Sequence, residues 1–72
     1  MNRRHLHYAV IEGAHHDLMI EFWLSPQDHE DFDILHANMA GSERELLPAI
    51  KRHPQWLKMV TDRVVAQIQE NA

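Results

Sequence analysis

Between residues 4 and 24 the apolar side chains fall on a two-residue beat, and this beat restricts the fold more than any other feature of the chain. Leu6, Tyr8 and Val10 alternate with His5, His7 and Ala9. Leu18, Ile20, Phe22 and Leu24 then alternate with Asp17, Met19, Glu21 and Trp23. Successive side chains of a strand point to opposite faces, so the pattern predicts two half-buried strands. Gly13 supplies backbone freedom between them. If the two apolar sets share a face, even positions must pair with even positions. A three-residue turn at residues 13–15 would do this, setting Val10 opposite Leu18, Tyr8 opposite Ile20 and Leu6 opposite Phe22.

That register makes a second prediction, about the reverse of the hairpin. There Ile11 would pair with Asp17, Ala9 with Met19, His7 with Glu21 and His5 with Trp23. One short chain has too little material to cover both faces of a two-stranded ribbon. A half-apolar surface in need of a partner is therefore expected, with Ile11, Met19 and Trp23 as anchors and His5, His7 and Glu21 setting polar specificity. Homodimerisation is the commonest form such a contact takes.

Downstream, Ser25, Pro26 and Asp28 read as a helix start, with Asp28, Glu30, Asp31 and Asp33 crowding its positive end. Phe32, Leu35 and Met39 make one apolar stripe, and Gly41 is the expected stop. In a competing reading Phe32, Ile34, His36 and Asn38 line a third strand, and residues 25–31 are a loop. The cap signature favours the helix, because it explains Ser, Pro and the acids together. Ser42 and Glu45 have capping-box spacing ahead of Leu46 and Leu47, and Pro48 makes that helix short or kinked. Pro54 opens a last helix, with Leu57, Val60, Val64 and Ile68 as its apolar stripe and fraying expected over residues 69–72. The predicted class is α+β: an N-terminal antiparallel β-hairpin, with the third strand as the competing reading, packed against two or three C-terminal helices in one domain over residues 1–72.

A core made from 72 residues is small, and the absence of Cys removes disulfides, Cys-based zinc sites and a Cys nucleophile. Oligomerisation is the expected reinforcement. Seven Lys and Arg against eleven Asp and Glu give a net charge of -4, which argues against broad nonspecific contact with nucleic acid. A nucleic-acid alternative rests on Lys51, Arg52 and Lys58 around Pro54. Seven His would carry the charge from -4 to +3 if all were protonated, near their ordinary pKa of about 6.5. No apolar run approaches the roughly 18 residues of a membrane span, and no signal-peptide-like segment follows Arg3 and Arg4, so a soluble cytoplasmic protein without membrane contact is expected.

Two His/carboxylate sets have ligand types that suit a metal: His5, His7 and Glu21 on the hairpin, and His29, Asp33 and His36 at helical spacing. Neither matches a named signature, and no metal or cofactor is predicted. Ser25 and Ser42 are accounted for as caps, and two glycines, Gly13 and Gly41, cannot build a phosphate loop. The expectation is a small non-enzymatic regulator or inhibitor that binds another protein, of the kind mobile elements such as phages encode. The acidic run Asp28, Glu30, Asp31 and Asp33 would be its second contact region.

Overall fold

The structure, a computed structural model, describes residues 6–70. Its elements are β1 (Leu6–Ile11), β2 (Leu18–Leu24), β3 (Phe32–Met39), α1 (Leu47–Lys51) and α2 (Pro54–Glu70). The strands form one antiparallel sheet in the order β1-β2-β3, and both helices pack on the same side of it. The fold is α+β, as the sequence predicts, with three strands and two helices among the described residues.

The core is organised by one row across the sheet. Ala9, Ile20 and Ala37 are register partners on β1, β2 and β3, and all three are buried. Two methyl side chains flank one large one, so helices can approach both outer strands while Ile20 fills the centre. Phe22 lies in the next row, and Leu47, Ile50, Val60, Val64 and Ile68 close the core from the helix side. Val60, Val64 and Ile68, with Leu57 at the flank, are the stripe expected of the last helix. Arg63 ties α2 to the sheet by donating from Nε to the Val10 carbonyl at 3.0 Å.

The observed register overturns the even-with-even pairing. Leu6 faces Trp23, Tyr8 faces Glu21, and Val10 faces Met19. Because side chains alternate, this one-residue change moves the whole β1 set to the other face. His7, Ala9 and Ile11 therefore point to the helices, and His7 stacks on Phe22 with ring centroids 5.5 Å apart. No three-residue turn forms. The connection spans residues 12–17, and Gly13 is needed there for close approach, since a Cβ would sit 2.2 Å from the His16 carbonyl oxygen. The alanine row explains why this register wins: a Tyr at the position of Ala9 would hold α2 off the sheet.

The segment expected to be a helix is instead a loop followed by β3, the competing reading. Cap residues serve equally well in turns, because a short polar side chain beside the backbone satisfies an N–H in either setting. The Ser25 hydroxyl accepts from the Gln27 N–H, Asp28 Oδ1 accepts from the Glu30 N–H, and the Ser25 N–H closes the loop on the Asp31 carbonyl at 2.9 Å. Along β3, Ile34 pairs with Phe22 and His36 with Glu21, leaving Leu35 as an extra residue in a bulge. The bulge lets Ile34 and Ala37 both serve the core although they are three apart. Gly41, the expected helix stop, takes a positive φ of 83° in the turn leaving β3.

The capping box does not form either. The Ser42 hydroxyl accepts from the Arg44 N–H, while the Glu45 carboxylate turns to Ala37 and Leu47. Pro48 sits in the first turn of α1, where a missing N–H costs nothing, so the helix is short and not kinked. Helix α2 continues to Glu70. The remainder of the predicted fray lies outside the described residues.

A pair of variants separates the two registers. Ala9→Leu overpacks the row under the helices and is expected to cost about 1–3 kcal/mol, whereas Tyr8→Ser should cost under about 1 kcal/mol. Urea unfolding followed by circular dichroism checks this, and the even-with-even register requires the reverse order.

Candidate functional site

The sheet has a second face that no helix covers among the described residues. Its rows are Leu6, Trp23 and Asp33; Tyr8, Glu21 and His36; and Val10, Met19 and Asn38. Leu6 is 46% exposed and Tyr8 59%. Val10, Met19 and Trp23 are half-buried, and so is the bulge residue Leu35. None of these apolar residues belongs to the core cluster or packs against it. The face is thus divided by strand: β1 and β2 present an apolar double column, while β3 presents Asp33, His36 and Asn38.

A polar chain crosses the middle row. The Tyr8 hydroxyl donates to Glu21 Oε1 at 3.2 Å. That hydrogen bond, together with the negative charge behind it, holds the Tyr8 phenol pKa above its ordinary value. His36 Nε2 lies 4.0 Å from Glu21 Oε2, and its Nδ1–H donates to Glu45 Oε1. The other Glu45 oxygen accepts from the Ala37 N–H at 2.7 Å and the Leu47 N–H at 3.2 Å. Partial burial pushes the Glu45 carboxyl up, but the Ala37 N–H, His36 and the Leu47 N–H together reverse this, and its pKa is lowered.

Glu45 also decides which surface is left for a partner. Its bond to Ala37, with the Leu46 N–H donating to the Ala37 carbonyl at 2.7 Å, occupies the outer edge of β3 at that residue. On β1, Arg63 takes the Val10 carbonyl. Edges blunted in this way invite less strand addition, and the open face becomes the larger contact area.

Of the hairpin residues expected to bind a partner, Met19, Glu21 and Trp23 lie together on the open face. Ile11 and His7 do not: the register turns them to the helix side. His5 lies outside the described residues. The metal sets are not assembled, since His7 and Glu21 are on opposite faces, and His29 is in the β2–β3 loop while Asp33 and His36 are on β3. Among the described residues no three His, Asp or Glu side chains converge as metal ligands would. Asp28, Glu30 and Asp31 are exposed in the β2–β3 loop, with Asp33 beginning the open face next to Trp23. Lys51 and Arg52 are exposed around the α1–α2 corner, where the His53 ring lies 4.2 Å from that of Trp56. Lys58 is engaged with Asp62 at 2.7 Å, which reduces the cationic set. A cleft of about 380 Å³ between the β2–β3 loop and the end of α2 is lined by His29, Glu30, Phe32, Val65, Ile68 and Gln69.

Sequence reasoning missed Leu6, Tyr8 and Val10 as surface residues, and gave Glu45 only a capping-box role that the fold does not use. One signal for Tyr8 was present in the residues. A buried phenol needs a hydrogen-bond partner, and none of the residues assigned to its side of the hairpin was polar.

Among the described residues no helix is long and apolar enough to cross a membrane. No family model matches the chain, and comparisons with curated proteins and with solved structures return no match.

Glu45→Gln should lower stability by about 1 kcal/mol at neutral pH, from weakened charge-assisted bonds on a partly exposed group. A carboxylate with a lowered folded-state pKa contributes stability above its ordinary value of 4.5 and loses it as the pH falls through the folded value. Thermal melts of both proteins should therefore differ most near neutrality and converge in acid. A constant difference down to acid pH would remove Glu45 ionisation from the explanation.

Proposed function

We propose that the chain is a non-enzymatic interaction protein, a small regulator or inhibitor, that works by presenting the open face of its sheet to another protein. The observation that carries this is the double column of Leu6, Tyr8, Val10, Met19 and Trp23, left uncovered by the described residues, whose core lies on the other side of the sheet. Leaving such a patch in water is unfavourable at about 25 cal/mol per Å² of apolar surface, and Trp, Tyr and Met are the residue types interfaces favour. Trp23 is a rigid, half-buried anchor, and Glu21, fixed by Tyr8, supplies one oriented charge at the centre.

Binding rather than catalysis fits the polar groups. The hydroxyls of Ser25 and Ser42 are occupied by backbone N–H groups, and Tyr8, Glu21 and His36 lie on an open surface rather than in a closed, water-excluding pocket. A nucleic-acid reading has less support, since Lys58 is paired and Lys51 and Arg52 alone make a small basic patch.

A photo-crosslinking amino acid placed at Leu6 or Leu35, compared with one at Met59 on the outer side of α2, tests the reading in the native host. Discrete protein adducts are expected from the two sheet positions and not from Met59. Adducts confined to Met59, or equal at all three positions, would overturn it.

A further inference from the structure

We infer that the occupant of the open face is a second copy of this chain, docked sheet to sheet about a two-fold axis that runs parallel to the strands between β1 and β2. This rests on the reading above and names the partner.

Register supplies the first argument. Leu6 and Trp23, Tyr8 and Glu21, and Val10 and Met19 are side-by-side pairs on β1 and β2. An axis parallel to the strands keeps each row at its own height while it exchanges the columns. Leu6 then lies over the partner's Trp23, Val10 over the partner's Met19, and Tyr8 over the partner's Glu21. Every apolar residue of the double column meets an apolar residue, apart from Tyr8, whose phenol meets the carboxylate, and the two sheets stack about 10 Å apart as in a β-sandwich. Strand β3 overhangs, so Asp33, His36 and Asn38 stay wet at the rim. An apolar centre within a polar rim is the ordinary anatomy of an interface.

Charge supplies the second argument and excludes two other axes. Among the described residues the rows of this face carry two carboxylates, Glu21 and Asp33, and no Lys or Arg. An axis along β2 would set Glu21 against the partner's Glu21, and so would an axis crossing the strands at the middle row. Like charges facing each other in a partly dry interface are strongly unfavourable. The axis between β1 and β2 instead sets each carboxylate opposite the partner's Tyr8, a neutral group whose one proton stays in the bond to its own Glu21, so no like charges face each other.

Area sets the strength. Only Leu6 and Tyr8 of the double column are largely exposed, at 46% and 59%, while Val10, Met19 and Trp23 are already half-buried, so the area left to cover on each copy is small. A standard complex buries about 800 Å² per partner, so the dimer belongs to the weak, reversible class. The axis also brings the two acidic β2–β3 loops to one end of the assembly. Salt should screen that repulsion and tighten the dimer, the opposite of its effect on an acidic face bound to a basic partner.

Sedimentation equilibrium of the purified chain over about 1–500 µM, at low and high salt, tests the inference. The mass should rise from one chain to two with concentration, with a dissociation constant several-fold lower at high salt. Trp23→Glu and Met19→Glu, each checked by circular dichroism for an intact fold, should weaken association at least about tenfold, while Trp56→Glu on α2 leaves it unchanged. A native chain that stays monomeric throughout overturns the second copy; the open-face reading would then stand or fall on the crosslinking adducts. A dimer disrupted by Trp56→Glu and indifferent to Trp23→Glu overturns both. Association weakened by salt overturns the proposed arrangement.

Discussion

The contact on which the rest depends is the passage of helices over Ala9, Ile20 and Ala37. Close packing leaves no tolerance for a large side chain at the two alanines, and none for a small one at Ile20. Once those three residues face the helices, alternation assigns the remaining residues of β1 and β2 to a side, and the bulge at Leu35 resets it on β3. The open face is the direct consequence of that assignment: burying Ala9 under α2 obliges Leu6, Tyr8 and Val10 to face outward. A chain with so small a core has little stability to spare, and uncovered apolar surface is the more consequential for it.

Much of the architecture was legible in the residues. The period of two announced β1 and β2, and the spacing from Leu57 to Ile68 announced α2, because both patterns are long enough to be read only one way. The register was not legible. Apolar content argued that Leu6, Tyr8 and Val10 should be buried with Ile20, whereas the fold selects for size, and two alanines carry almost no weight in a reading based on hydrophobicity. The segment from Ser25 to Asp33 misled for a different reason. Ser, Pro and Asp satisfy backbone donors at a helix start and in a tight loop by the same chemistry, and only long-range pairing with β2 chooses between them.

The candidate site inherited both errors in part. Trp23, Met19 and Glu21 were correctly grouped because they belong to one strand, where alternation alone fixes their common side. Assigning Ile11, His7 and His5 to the same surface required the pairing of a second strand, and that pairing was wrong for the two that the structure describes. Glu45 was misread because its role is tertiary. It bridges the outer edge of β3, the start of α1 and His36, and only Ser42 three residues before it lent it a local meaning, which the fold does not use. The polar middle row that results from Tyr8, Glu21, His36 and Glu45 links the open face to the helix side of the molecule.

The side assignment of β1 can be observed directly by NMR. With a soluble paramagnetic agent in the solvent, the protons of Leu6 and Tyr8 should relax strongly while the Ala9 methyl is protected and shows nuclear Overhauser contacts to the valine methyls of α2. An Ala9 methyl that relaxes as fast as Leu6, with the Tyr8 ring in contact with Val60 or Val64, would contradict the register and everything built on it.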